Sequence, residues 1–133
     1  MVRHVIGLAE ASGRFAAEIG GKAMGLARLL AHDFPVPEGA VMTTRAFAAI
    51  ATEAGLLGPV TDLDRAALDG RFARAALALK TAELPADLEL EVREALDSLF
   101  ADGAAVAVRS SATLEDSATA SFSGMLDTIT GVA

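Results

Sequence analysis

The chain has 133 residues, enough for one domain, with a formal charge of −7 at pH 7 and no cysteine. That charge opposes non-specific binding to nucleic acid or to an anionic membrane, and the missing thiols exclude disulfide and thiolate chemistry. Hydrophobic residues reach 53% but aromatics only 5%, so the core is expected to be aliphatic. No run approaches the ~20 apolar residues of a membrane span. The start, Met1-Val2-Arg3-His4, has no apolar stretch of the signal-peptide kind, and the expected location is cytoplasmic.

In chain order, residues 4–7 suggest a short strand or an ordered arm. Gly20-Gly21 should break whatever precedes it, and from Lys22 the apolar positions Met24, Leu26, Ala27, Leu29 and Leu30 fit an amphipathic helix. Pro35 and Pro37 stop that helix near His32-Asp33. Ala40-Val41-Met42 reads as a brief strand, and Thr43 or Thr44 as the N-cap of a helix through Phe47, Ile50 and Ala51 that ends before Gly55. In the ambiguous stretch 55–70, Gly58-Pro59 marks a turn and Asp62 could cap a short helix. Helical spacing returns at Phe72, Ala75, Ala76 and Leu79. Pro85 suits the first turn of a further helix, whose stripe is Leu88, Val92, Ala95, Leu96 and Leu99, ended by Asp102-Gly103. Ala104 to Val108 is the clearest strand, and Leu126 to Val132 a second. The class is α+β or α/β. A strand so near the chain's end suggests a piece of a larger architecture, because its edge needs covering.

Three places could carry chemistry. Gly20-Gly21-Lys22 opens a helix, where backbone N–H groups and the helix dipole favour an anion and a lysine can reach phosphate oxygens. It is not a P-loop, because Ala16 and Ala23 stand where that motif needs glycine and a hydroxyl residue. The alternative is a helix start with a solvated lysine. Lysine is scarce here, two against nine arginines. Arg109 follows four apolar residues at a strand end, with a buried look. Such strand ends hold ligand contacts in open sheets, and a guanidinium grips two phosphate oxygens at once. The alternative is a structural ion pair with Glu115 or Asp116. The loop from Ser110 to Gly124 is small and polar. Ser110, Ser111, Ser121, Ser123 and Thr128 could donate to phosphate, and Gly124 permits close backbone approach; an ordinary surface loop is the alternative. Glu115, Asp116 and Asp127 have oxygen donors but no spacing that makes them converge, so no metal site is assigned. His4 and His32 stand isolated and receive no catalytic role. Met24, Met42 and Met125 read most simply as packing residues.

Four ordered motifs carry a resemblance over essentially the whole chain, weakest over 53–100: Gly20-Gly21-Lys22-Ala23-Met24-Gly25-Leu26, Phe34-Pro35-Val36-Pro37-Glu38-Gly39, Val106-Ala107-Val108-Arg109-Ser110-Ser111-Ala112-Thr113-Leu114-Glu115-Asp116, and Ser121-Phe122-Ser123-Gly124-Met125-Leu126-Asp127-Thr128. The chain resembles the N-terminal nucleotide-binding domain of phosphoenolpyruvate synthase and pyruvate phosphate dikinase, which rifampicin phosphotransferase shares. Gly124 to Thr128 looks closer to the dikinase, and Ser111 to Asp116 closer to the synthase. The resemblance implies an α+β fold, the first lobe of an ATP-grasp-type domain, with residues 1–133 as one partial domain. By the same resemblance Lys22 and Arg109 contact ATP phosphates, Gly124 and its neighbour Met125 cover them, and Thr128 contacts the nucleotide. It implies ATP as ligand and a transferase or kinase activity. Mg²⁺ ligands, a second ATP-grasp lobe and a phosphohistidine domain would all lie outside this chain, which is then not expected to be active alone. The competing expectation is a non-catalytic fragment, or a stand-alone module that binds a partner lobe. A weaker third is a small-anion binder without nucleotide specificity.

Overall fold

The computed structural model describes residues 3–14, 16–56, 65–101, 103, 105–111 and 128–132. The order is β1 (Val5–Gly7), a 3-10 helix (Leu8–Gly13), α1 (Ala16–Ala31), β2 (Ala40–Met42), α2 (Thr44–Glu53), α3 (Arg65–Thr81), α4 (Ala86–Phe100), β3 (Val106–Arg109) and β4 (Thr128–Val132). β1 and β2 pair antiparallel, Ile6 opposite Val41. β3 and β4 form a second antiparallel pair, Val108 opposite Ile129 and Arg109 opposite Thr128. The architecture is mixed α+β, as the sequence implies, with two small sheets among the described residues.

β1 organises the interior. Successive side chains of a strand point to opposite faces, and both Val5 and Ile6 are buried. Ile6 joins Leu8, Ala11, Ile19, Ala23, Met24, Ala27 and Val41, a core built largely on α1. Val5 joins Ala46 of α2 and Leu88 of α4, with Ile50, Val92 and Ala95 packed against them. One three-residue strand is thus held between two helical layers. The α1 stripe begins earlier than the periodicity from Lys22 indicates: Ile19, Ala23 and Ala27 recur at four-residue spacing across the glycine pair.

The ends of α1 follow their residues. Phe34 N–H donates to the Leu29 carbonyl at 3.1 Å and Asp33 N–H to Leu30 at 3.1 Å, while Asp33 takes φ 60°. This is the Schellman closure, with aspartate at the position usually held by glycine. Thr43 precedes α2 as expected, and its carbonyl accepts the Ala46 N–H at 3.0 Å. Its side chain makes no capping bond, however, and its buried hydroxyl has no partner among the described residues. Pro85 stands one position before α4 rather than in its first turn.

α4 ties down the chain's beginning through Glu91. One carboxylate oxygen accepts the N–H groups of His4 and Val5, both at 2.8 Å, and the other lies 3.1 Å from His4 Nδ1. Burial pushes the Glu91 carboxyl up. The Val5 and His4 N–H donors and the His4 ring outweigh that and hold it below its ordinary 4.5. His4 is therefore a structural histidine, in keeping with the absence of a catalytic assignment. Elsewhere the packing is thin. No described side chain of α3 from Gly70 onward is buried, and its expected stripe lies on the surface, with Phe72 69% exposed. Among the described residues no helix is long and apolar enough to cross a membrane.

Candidate functional site

The glycine pair does what glycine allows and no other residue does cheaply. Gly20 takes φ 77°, ψ 166°, inside a segment that is helical on both sides. This region of backbone space is essentially reserved for glycine. The break divides α1 into one preceding turn and a helix that starts at Gly21. A helix start leaves its first N–H groups without intrahelical acceptors and carries the positive end of the dipole. Lys22, half-buried, is the second residue after the break. The sequence correctly marks Gly20 as a breaker but misses the helical turn, Ala16 to Ile19, that precedes it.

The break also marks where the far end of the chain arrives. Ser111 Oγ donates to the Ile19 carbonyl at 3.2 Å across 92 positions of sequence. A Cβ on Gly20 would overlap the Ser111 hydroxyl oxygen and stand 3.0 Å from the Ser111 carbonyl carbon. Gly20 is therefore glycine for two reasons, its backbone angle and the chain pressed against it. Lys22 lies two positions after Gly20, and Arg109 two positions before Ser111. Each such step spans at most about 7 Å, so both cations hang from backbone close to one contact.

Arg109 is the last residue of β3, and its register partner is Thr128, the first of β4. The antiparallel pairing thus sets two expected nucleotide contacts opposite one another. A bulge between Val106 and Val108 puts an extra residue on β4, where Gly131 takes φ 71°. Arg109 is exposed, which corrects the buried look of its apolar approach: β3 is itself open to solvent, with Val108 51% and Ile129 60% exposed. An exposed guanidinium keeps its hydration until a ligand arrives, and no burial cost has to be offset by a partner. Gly124, Met125, Ser121 and Ser123 lie outside the described residues, as do Glu115, Asp116 and Asp127. Ser111, expected as a phosphate donor, gives its proton to Ile19 instead. His32 is exposed just past the end of α1.

The arrangement suits a polyphosphate: a helix start stripped of side chain at Gly20-Gly21, a lysine in its first turn, and an arginine and a threonine across a neighbouring ribbon. Among the described residues no three carboxylates or histidines converge on one point.

Comparison with known proteins agrees with this chemistry. Residues 16–133 match the family described as pyruvate phosphate dikinase, AMP/ATP-binding domain. The chain belongs to that family. It is 35% identical over 120 residues to a probable phosphoenolpyruvate synthase of Methanocaldococcus jannaschii, covering 82% of this chain and 10% of that protein. It is 36% identical over 138 residues to a rifampicin phosphotransferase of Streptomyces sp., covering 98% and 16%. It is 36% identical over 110 residues to the prodigiosin synthesizing transferase PigC of Serratia marcescens, covering 83% and 12%. No solved structure matches the chain. The chain spans 10% to 18% of the length of such curated relatives. The α+β lobe of an ATP-grasp-type nucleotide-binding domain, implied by the sequence resemblance, agrees with the mixed architecture and with this family.

Proposed function

We propose that this chain is the ATP-binding lobe of a phosphotransferase, and that Lys22 and Arg109 hold the phosphates of one ATP. The observation that carries the reading is the Ser111–Ile19 contact, which brings the Gly20-Gly21-Lys22 and Arg109-Ser110-Ser111 motifs together from opposite ends of the sequence. Phosphoryl transfer demands placement and neutralisation of spreading negative charge more than covalent help. Lys22 supplies a point charge at a helix start, and Arg109 a planar fork. Thr128, opposite Arg109, donates a hydroxyl to the nucleotide. The Gly124–Met125 segment covers the phosphates and excludes water.

In the full-length enzyme the phosphoryl group passes to a histidine on a carrier domain outside this chain. A second ATP-grasp lobe and the Mg²⁺ ligands also lie outside it. The location is cytoplasmic. A second reading is a non-catalytic fragment or a stand-alone module that binds a partner lobe, in keeping with a chain that spans 10% and 16% of these relatives' length. Calorimetry with Mg-ATP on the 133-residue chain tests both: absence of ATP binding counts against the first, and binding with turnover overturns the second. The lobe assignment itself is tested by Arg109→Ala in a full-length relative. A loss of about a hundredfold or more in ATP-dependent turnover is expected from removing a cation that stabilises transferring phosphate, and unchanged turnover rejects the assignment.

A further inference from the structure

We infer that Ser111 is a positioning residue, a latch whose hydroxyl fixes the end of β3 against the break in α1 so that Arg109 and Lys22 address the same anion. The inference rests on the nucleotide-binding reading for its purpose, but the latch itself is a matter of geometry. Ending the first turn of α1 at Ile19 leaves carbonyls there without intrahelical donors. Ser111 Oγ supplies a donor to the Ile19 carbonyl at 3.2 Å. The Gly20 Cα bears no side chain, and the space a Cβ would need is taken by the Ser111 hydroxyl and backbone. The two halves of the contact therefore define each other: the break opens the carbonyl and the space, and the serine fills both.

The ribbon of β3 and β4 otherwise presents an exposed surface, with every residue from Ala107 to Arg109 and from Thr128 to Thr130 open to solvent. Such a ribbon is held weakly unless a specific contact ties it, since a two-stranded pair is marginal alone. Ser111 sits two positions from Arg109 and supplies such a contact. A hydroxyl committed to backbone in this way positions its neighbours without touching the ligand.

Two measurements test the latch. Amide hydrogen exchange of the β3–β4 ribbon, at Val106 to Arg109 and Thr128 to Val132, in the full 133-residue chain should be faster in Ser111→Ala than in the native protein, with a retained cooperative melt confirming that the variant folds. Unchanged exchange overturns the latch whether or not ATP binds. Calorimetry with ATP supplies the second readout. Ser111→Ala should weaken binding roughly three- to tenfold, the range of one net hydrogen bond. In an Arg109→Met background the same change should weaken it less than twofold, because the cation being positioned is gone. Equal weakening in both backgrounds means general loosening and contradicts the positioning role. If Arg109→Met alone leaves ATP affinity unchanged, the nucleotide reading fails at Arg109 while hydrogen exchange still decides the latch.

Discussion

The region around β1 and the ribbon of β3 and β4 are built on opposite plans. β1 is short, yet both of its larger side chains are buried, and Glu91 clamps the backbone at its start. The ribbon is comparable in length, yet Val108 and Ile129 stand more than half exposed. Stability is concentrated in the first region, and Arg109 and Thr128, both expected to meet ligand, hang on the second. Binding residues on a thinly packed element can adjust to a ligand at little cost to the rest of the fold, as the low-stability parts of proteins commonly do. Gly20 and Ser111 are where the two plans meet.

Mutations should sharpen the contrast. Leu88→Ala, at a side chain with 0% exposure that joins α4 to Val5 and Ala46, should cost about 2–5 kcal/mol in denaturant unfolding. A cost below ~1 kcal/mol would remove the β1 region from its central place. Gly20→Ala forces a Cβ into glycine-only backbone space and onto Ser111, and should cost roughly 1–3 kcal/mol while also weakening ATP binding. An alanine tolerated without change in either would contradict the account of the break. Glu91→Gln keeps a carbonyl acceptor but gives up the charge, and should cost about 1–2 kcal/mol. On the ribbon, Ile129→Ala should stay within about 0.5 kcal/mol, as surface changes do. A larger loss would mean that the ribbon is packed after all.

The clamp also fixes a direction for pH. A carboxyl held below its ordinary value in the folded protein contributes stability that is complete above the unfolded value, near 4.5, and lost as pH falls through the folded value. Acid unfolding of the native protein should therefore steepen below that point, and Glu91→Gln should flatten the profile there. A profile identical in both proteins would show that folding does not lower the Glu91 carboxyl.

Much of this was legible in the residues. Proline and glycine punctuation located α1, β2 and α2 closely, and the apolar run before Arg109 located β3. The glycine pair and the Val-Arg-Ser-Ser motif stood out in the sequence, and the Ser111–Ile19 contact brings them together in space. What escaped was long-range. Glu91 meets His4 and Val5 across 87 and 86 positions and carries no local signal to tell it from the other acids of α4. Ile19 belongs to the core on the far side of a break that seemed to end the pattern. The surface position of Arg109 depends on what covers β3, which its own neighbours do not encode. The Ser111 hydroxyl went to a carbonyl exposed only because α1 is broken, so its role could not be read without the break.

The central claim is that Lys22 and Arg109 serve one bound polyphosphate. An ATP titration followed by amide chemical shifts of the 133-residue chain tests it directly. Gly21-Lys22 and Arg109 to Ser111 should shift together, with one dissociation constant, and Lys22→Met should weaken the response in both segments. Shifts confined to one segment, or two segments titrating with different constants, would contradict it.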